Sequence, residues 1–208
     1  MIPHDRLVPE RTALVLLAAG KSRRFGVSDK LGASFLGQPL GYHVVTALAA
    51  VPFRTRIAVC VRGELDYASR GYRVVFNDRP GEGASSSVRL GVRAAQEAGC
   101  EAVLLALADM PRVTASHIHR LFDASAGADT VVASSDGQQP RPPAVFGAAH
   151  FAALETLTGD YGARDLILGG KHVVTNADEL VDIDTEEELA DLQSTFGHSR
   201  AHAFEKDV

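Results

Sequence analysis

Several features that mark other protein classes are scarce in this sequence. Its 208 residues contain only two cysteines, Cys60 and Cys100, both in or beside apolar segments, so we expect reduced thiols and a cytoplasmic protein. No apolar stretch approaches the roughly 18 residues that a membrane-spanning helix needs. Residues 1–11 carry charges of both signs and two prolines, unlike a signal peptide. The formal net charge of -5 argues against nonspecific nucleic-acid binding. We therefore expect a soluble protein with neither nucleic acid nor membrane as a partner.

The residues that are present indicate an α/β protein. Hydrophobic residues make up 46% and charged residues 23%, as in average globular domains. Short strand-like segments alternate with longer helix-like segments, which is typical of parallel strands joined by crossover helices. The predicted strands span residues 12–18, 56–61, 73–76, 102–108, 130–134, 144–146 and 172–175. The predicted helices span residues 40–50, 85–98, 115–125, 148–157, 163–168 and 186–194.

No linker, repeat or low-complexity segment divides the chain, and its length suits one domain of ordinary size. We predict an N-terminal extension over residues 1–11 and a single domain over residues 12–196. Residues 197–208 are polar and lack periodicity, so we predict a flexible C-terminal tail there. Thr185 is expected to cap the last helix, whose first turn is acidic.

A glycine-containing and basic segment follows the first predicted strand, over residues 17–26. Small residues let the backbone approach a phosphate chain, and cationic side chains neutralise it. Neither G-x-G-x-x-G nor G-x-x-x-x-G-K-[ST] fits this segment, which disfavours a Rossmann dehydrogenase and a P-loop NTPase. The alternative is an ordinary glycine turn beside a solvated basic cluster. The candidate nucleotide-binding residues here are Leu17, Ala18, Ala19, Gly20, Lys21, Ser22, Arg24 and Lys30.

Two acidic residues are candidates for a metal site. Asp109 follows the most apolar predicted strand, so its carboxylate should emerge at the same sheet edge as the glycine segment. Mg²⁺ prefers one or two carboxylates with waters and substrate phosphates, and Asp184 is a possible second ligand. Alternatively, Asp109 is a helix N-cap or turn residue, and Asp184 only begins a helix.

The segment Leu-Ala-Ala-Gly-Lys-Ser-Arg-Arg-Phe-Gly over residues 17–26 resembles the L-A-A-G-x-S-x-R-F-G…K-L signature of the MobA-like nucleotidyltransferases, especially the molybdenum cofactor cytidylyltransferases. Further blocks at residues 82–89, 107–111, 159–164 and 182–185 occur in the family's order. The resemblance implies a single-domain, Rossmann-like three-layer α/β/α sandwich with a mostly parallel sheet, of the nucleotide-diphospho-sugar transferase type. It also implies Mg²⁺-dependent transfer of CMP from CTP to a phosphorylated acceptor, most simply molybdopterin, with release of pyrophosphate.

The resemblance further implies roles for individual residues. Asp109 matches the main metal-binding aspartate and Asp184 the second ligand, although Asp182 is close enough to compete. The implied catalytic residues are Lys21, Arg24, Lys30 and Asp109. An ionised acceptor phosphate is itself the nucleophile, so no general base is required, and none of the histidines suggests a zinc site.

Base and acceptor recognition are expected in two later segments. The segment 77–87 contacts the base in the resembled family, which implies nucleotide-binding roles for Asn77, Gly83, Ser85 and Ser86; the serines are alternatively an N-cap cluster. The Ala18-Ala19 pair favours CTP over GTP, because guanylyl relatives tend to carry Ala-Gly-Gly. Asp160 and Arg164 are the implied acceptor-binding residues. Residues 138–146 lack the Gly-His-Pro or Gly-Asn-Pro of molybdopterin enzymes, and Pro142-Pro143 stands there instead.

Two other functions remain open on the sequence. One is a non-catalytic chaperone that binds a nucleotide or the molybdenum cofactor and delivers it. The other is a nucleotidyltransferase acting on a different small phosphorylated metabolite, which the unusual Pro142-Pro143 pair keeps possible. In the first interpretation, as in the enzymatic one, a molybdenum hydroxylase would receive the cofactor.

Overall fold

The computed structural model describes residues 6–20, 25, 29–62 and 65–204, with side chains up to residue 196. Nine strands occur in this part of the chain: β1 Thr12–Ala18, β2 Ser34–Phe35, β3 Gln38–Pro39, β4 Thr55–Cys60, β5 Arg73–Phe76, β6 Ala102–Leu107, β7 Val131–Ser135, β8 Pro140–Gly147 and β9 Lys171–Val174. Six α-helices accompany them: α1 His43–Ala47, α2 Ala84–Glu97, α3 Ala115–Asp123, α4 Phe151–Glu155, α5 Arg164–Gly169 and α6 Glu186–Phe204. No helix in the described ranges is both long and apolar enough to cross a membrane.

Seven strands form the central sheet in the order β5-β4-β1-β6-β8-β7-β9. The strand β1 pairs in parallel with β4 and β6, and β7 pairs in parallel with β9. Only β8 of these seven runs against its neighbours β6 and β7. A four-residue connection joins β7 to β8, and so short a link permits only an antiparallel pair. The expected mostly parallel α/β sheet is confirmed.

The sheet is covered on both faces, as the resemblance to a three-layer α/β/α sandwich implied. Alternate residues of β1 enter different core clusters: Leu14 and Leu16 pack with α1 and α3, whereas Ala13 and Val15 pack with α2, α4 and α5. All four side chains are fully buried. A third cluster, formed by Phe25, Phe35, Leu40, Ile183, Leu189 and Leu192, packs the start of α6 against the β2–β3 hairpin.

Several predicted element boundaries need correction. The predicted helices 40–50 and 148–157 are each a short 3-10 turn followed by the five-residue helices α1 and α4. The β2–β3 hairpin was not predicted, since its strands have only two residues each. The last helix does not end at residue 194 but continues to Phe204, into the segment expected to be a polar tail.

The largest error concerns β8, which begins at Pro140 and not at residue 144. Proline cannot donate to a sheet ladder, so three prolines within residues 140–143 argue against a strand. The register between β7 and β8 shifts after Ala133, and Pro142 and Pro143 fall in this irregularity without a ladder partner. They also lie outside the pairing with β6, which starts at Ala144. Pro142 and Pro143 are tolerated because the ladder requires no hydrogen bond from them.

Candidate nucleotide and metal site

The central cavity lies where the chain changes direction across the sheet. From β1 the chain passes to β4 and β5 on one side and returns to β6 on the other, so β1 and β6 are neighbours whose connections diverge. Ligands of open α/β sheets bind at the carboxyl ends of such strands. A cavity of about 470 Å³ opens there, lined by Leu17, Ala18, Ala19, Gly20, Lys30, Leu31, Pro80, Gly81, Gly83, Ala84, Ser87, Leu107, Asp109, Asp160 and Asp184.

The glycine segment forms one wall of this cavity. Leu17, Ala18, Ala19 and Gly20 all line it, and a Cβ added at Gly20 would meet no heavy atom within 4 Å. The space above this backbone is therefore open for a ligand. The predicted residues Lys21, Ser22 and Arg24 lie outside the described residues.

Phe25 anchors the glycine segment in the protein interior. Its side chain is only 2% exposed and packs in the cluster that contains Leu189 and Leu192 of α6. Phe25 of the predicted phosphate-binding segment thus packs against α6, the helix that Asp184 precedes.

Lys30 and the two predicted acids meet in the cavity. The Lys30 ammonium donates to Asp109 Oδ2 at 2.7 Å and to Asp184 Oδ1 at 3.2 Å. The Lys30 side chain is 8% exposed, that of Asp109 22% and that of Asp184 41%. Burial alone would lower the pKa of Lys30, but the two carboxylates outweigh it and raise that pKa. The lysine is therefore held as a cation between two anions.

Asp109 has the environment of a metal-coordinating residue and not of a helix N-cap. Thr114 caps α3 by accepting from the His117 amide, so the cap interpretation of Asp109 is not supported. Burial raises the pKa of the Asp109 carboxyl, and Lys30 offsets part of this rise. Its Oδ1 atom is buried without a hydrogen-bond partner among the described residues. A buried carboxylate oxygen without a partner is costly, and a hard cation would satisfy it.

Asp184 and Asp182 make different contacts, which decide between them as the second metal ligand candidate. Thr185 and Glu188 form a capping box at the start of α6, in which each side chain accepts from the other end of the first turn. The predicted Thr185 cap is thereby confirmed, and Asp184 is left to contact Lys30. Asp182 instead pairs with Arg141 at 3.6 Å. The geometry groups Asp184, and not Asp182, with Asp109 and Lys30.

The segment predicted to contact the base contributes backbone more than hydroxyl groups to the cavity. Gly81, Gly83, Ala84 and Ser87 line it. Ser85 is fully buried, and its hydroxyl donates to the Gly159 carbonyl at 2.7 Å.

Asn77 and Ser86 also do not line the cavity. The Asn77 amide donates to the hydroxyls of Ser86 and Ser87 at 2.8 and 2.9 Å, and Ser86 donates to the Gly83 carbonyl at 2.8 Å. They brace the cavity wall from behind. Three successive residues of a helix point in different directions. This spacing is the sequence signal that only one of the three serines could face a ligand.

Gly83 brings the two predicted recognition segments together. It has φ 89° and ψ 179°, a conformation that is essentially restricted to glycine. A Cβ at this position would lie 2.5 Å from the carbonyl carbon and oxygen of Gly159 and close to Asp160 Oδ1. The base segment and the loop at residues 159–160 are in contact only because residue 83 has no side chain.

A second cavity, of about 580 Å³, adjoins the first and shares the walls Leu17, Ala84 and Leu107 with it. The predicted acceptor residues are divided between them, with Asp160 in the first and Arg164 in the second. Sequence reasoning did not single out Arg141, which also lines the second cavity. The remaining lining residues are Val88, Leu105, Met110, Gln138, Gln139, Pro140, Pro142, Tyr161, Gly162, Ala163, Ile167, Leu168 and Asp182.

A buried polar network supports the wall of the second cavity. His117 and Ser134 are fully buried, and the Ser134 hydroxyl donates to the Pro143 carbonyl at 2.7 Å. It therefore accepts from His117 Nε2 at 2.7 Å, and His117 Nδ1 accepts from Arg120 at 3.0 Å. Burial, and then the Arg120 charge, lower the pKa of His117, so the histidine is neutral. It has a structural partner on each ring nitrogen.

Comparisons with known proteins agree with this geometry. The family model described as a MobA-like NTP transferase domain matches residues 14–175. The purine catabolism protein PucB of Bacillus subtilis (strain 168) is 33% identical over 194 residues, which cover 84% of this chain and 92% of PucB. A molybdenum cofactor guanylyltransferase of Cereibacter sphaeroides is 32% identical over 157 residues, which cover 72% of this chain and 80% of that protein.

A solved structure extends the similarity to the fold. The homologue of Mycobacterium tuberculosis Rv0371c from Mycobacterium sp. strain JC1 superposes with a TM-score of 0.75 at 25% identity. The match covers 90% of this chain and 98% of that chain.

Proposed function

The chain belongs to the MobA-like NTP transferase family, and we propose that it transfers CMP from CTP to molybdopterin with the help of Mg²⁺. Membership of this family makes the chain a nucleotidyltransferase that acts on a nucleotide and a phosphorylated acceptor. The single observation that carries the proposal is the convergence of Lys30, Asp109 and Asp184 beside the glycine segment at the edge of β1 and β6.

Asp109 and Asp184 are the residues that would hold the metal ion. Their carboxylates are hard oxygen donors, and no group of three His, Cys, Asp or Glu ligands occurs in the described part of the chain. Two carboxylates with water and phosphate completing the coordination is the arrangement that Mg²⁺ favours. A bound Mg²⁺ supplies neutralisation of the charge that develops on the transferring phosphate.

The chain's own residues account for the remaining requirements of the reaction. An oxygen of the acceptor phosphate forms a bond to the α-phosphorus of CTP, and the bond from that phosphorus to the bridging oxygen of the β-phosphate breaks. Pyrophosphate leaves with the electron pair. The Lys30 ammonium lies in the cavity to neutralise phosphate charge, while the open backbone at Gly20 admits the triphosphate. The attacking oxygen is already ionised, so no side chain has to remove a proton.

The choice of CTP rests on the pair Ala18-Ala19, because guanylyl relatives tend to carry Ala-Gly-Gly over residues 18–20 and so have glycine at the position of Ala19. Both residues line the nucleotide cavity. GTP is the alternative base, because the Cereibacter relative is named a guanylyltransferase. Thermal unfolding with CTP, GTP, ATP or UTP in the presence of Mg²⁺ should show the largest rise in midpoint with CTP. An equal or larger rise with GTP would reverse the assignment.

Molybdopterin is the proposed acceptor, and the product would pass to a molybdenum hydroxylase. The experiment mixes purified protein, Mg²⁺, CTP and molybdopterin and measures pyrophosphate. We expect release that depends on both substrates and on Mg²⁺ and is lost in Asp109→Asn. Binding of CTP without any release would instead favour a cofactor-delivering chaperone.

A different phosphorylated metabolite is the second candidate acceptor. PucB, named for purine catabolism, matches over more of this chain than the guanylyltransferase does. Pro142 also lines the second cavity, and it belongs to the Pro142-Pro143 pair that stands in place of the Gly-His-Pro or Gly-Asn-Pro of molybdopterin enzymes. Pyrophosphate release with another phosphomonoester, but not with molybdopterin, would establish this alternative.

A further inference from the structure

We propose that Arg141 binds the phosphate of the acceptor in the second cavity. The proposal deepens the nucleotidyl-transfer function proposed above and relies on it only for the identity of the acceptor. Arg141 lies on β8 and faces Ser134 of β7 in the sheet register, and its side chain lines the cavity between the predicted acceptor segments.

The guanidinium of Arg141 is only loosely occupied. It pairs with Asp136 Oδ2 and with Asp182 Oδ1, both at 3.6 Å, and it forms no hydrogen bond to any residue that the structure describes. Its side chain is 34% exposed. Long ion pairs at the protein surface contribute little free energy, since water screens them. The five N–H donors of Arg141 are therefore available to a ligand at small cost.

Asp136 has a structural role that does not need Arg141. Its Oδ1 accepts the backbone amides of Gln138 and Gln139, both at 2.8 Å, and so shapes the turn between β7 and β8. These bonds persist when the arginine turns toward a ligand. Asp182 is half-exposed, so water can hydrate its carboxylate when Arg141 turns toward a ligand.

The location of Arg141 matches the position that an acceptor phosphate must occupy. The attacking oxygen has to lie between the second cavity and the Asp109 site in the first. Asp182, the ion-pair partner of Arg141, is close enough to Asp109 for its charge to contribute to the raised pKa of that carboxyl. Asp182 thus connects Arg141 in the second cavity with the metal-binding acid Asp109.

The chemistry of the cavity indicates the class of ligand. An arginine presents two parallel N–H donors that match phosphate oxygens, which an isolated lysine cannot do. The rest of the lining is largely apolar, with Tyr161 and Pro142 offering flat surfaces and Arg164 a second positive charge. A phosphomonoester attached to a flat heterocycle fits these walls.

The experiment uses a pair of fluorescent probes that differ only in the phosphate, riboflavin 5′-phosphate and riboflavin. For the wild-type chain we expect at least about tenfold tighter binding of the phosphorylated probe, since a charge-assisted hydrogen bond contributes that much. Arg141→Gln should abolish the preference, and Arg141→Lys should retain part of it. Arg93→Gln is the matched control, because Arg93 pairs with Glu155 away from both cavities.

A further control tests whether the phosphate of the probe binds in the second cavity and not in the first. Lys30→Gln changes only the nucleotide cavity and should leave the preference for riboflavin 5′-phosphate intact. The proposal is overturned if wild-type protein shows no phosphate preference, or if Arg141→Gln keeps it. Thermal unfolding of each variant establishes that it is folded.

The transfer assay distinguishes a failure of this inference from a failure of the proposed function. In the transfer assay Arg141→Gln should raise the acceptor KM at least about tenfold and leave the KM for CTP unchanged. Absence of transfer in wild-type protein, together with an Arg141-dependent probe preference, refutes the function and supports the site. Normal transfer by Arg141→Gln at an unchanged acceptor KM refutes the site and supports the function.

Discussion

Substitution of Gly83 by alanine tests whether the contact between the two recognition segments organises the cavity. The added methyl group has two separate consequences at this position. It penalises the backbone, since φ is 89°, and it places Cβ 2.5 Å from the carbonyl carbon and oxygen of Gly159. A flexible side chain could rotate away from such a contact, but a peptide backbone can only be displaced.

The expected loss of stability follows from these two contributions. A non-glycine residue in this conformation costs about 1–3 kcal/mol. Insertion of a methyl group against a packed backbone costs about another 1–3 kcal/mol. The sum is about 2–6 kcal/mol, which for a chain of this length lowers the unfolding midpoint by roughly 4–24 °C. Displacement of residues 159–160 should also raise the KM for nucleotide, because Asp160 and Ala84 line the same cavity.

Gly37→Ala provides the matched control. Gly37 also has φ 89°, but a Cβ there would meet nothing within 4 Å, so only the backbone penalty applies. Urea unfolding of both variants, with nucleotide KM measured in parallel, shows how much more Gly83→Ala costs than alanine at a positive-φ glycine with open space around it. Equal destabilisation of the two variants, or an unchanged KM in Gly83→Ala, would refute this account of the site.

Three further predictions concern other parts of the site. Asp109→Asn should slow pyrophosphate release at least about a hundredfold at saturating Mg²⁺, because several kcal/mol of charge stabilisation are lost; a wild-type rate would exclude Asp109 as a ligand. Phe25→Ala should destabilise the chain by about 3 kcal/mol in urea unfolding and weaken CTP binding; a loss below about 1 kcal/mol would contradict its anchoring role. The pKa of His117 is lowered in the folded chain, so the unfolded chain binds a proton at a higher pH than the folded chain does. The free energy of unfolding should therefore fall as the pH drops below 6.5. Urea unfolding from pH 7.5 to 5.5 should show this fall, and His117→Gln should reduce it.

The central strands could be predicted because they are apolar on both faces and bounded by turns. The predicted ranges for β1 and β5 agree with the structure at both ends. The range for β8 was too short because its prolines exclude a strand unless a bulge removes the need for their hydrogen bonds. A bulge is a property of two paired strands, and the sequence of one of them does not contain it.

The site could be predicted in part. The glycine segment and Asp109 follow strands, so their placement at one sheet edge follows from a parallel sheet. The different contacts of Ser85, Ser86 and Ser87 could not be predicted, because they depend on which face of α2 meets the loop at Gly159.

The sequence by itself determined the class of fold, the order of the strands along the chain and the residue types suited to phosphate and metal. These depend on local composition and periodicity, which are complete within short segments. The tertiary structure alone decided that Lys30 lies between Asp109 and Asp184, and that Asp182 turns instead to Arg141. Those pairings join residues from 41 to 154 positions apart along the chain. Only the packing of α6 and the register of β8 bring their side chains within bonding distance.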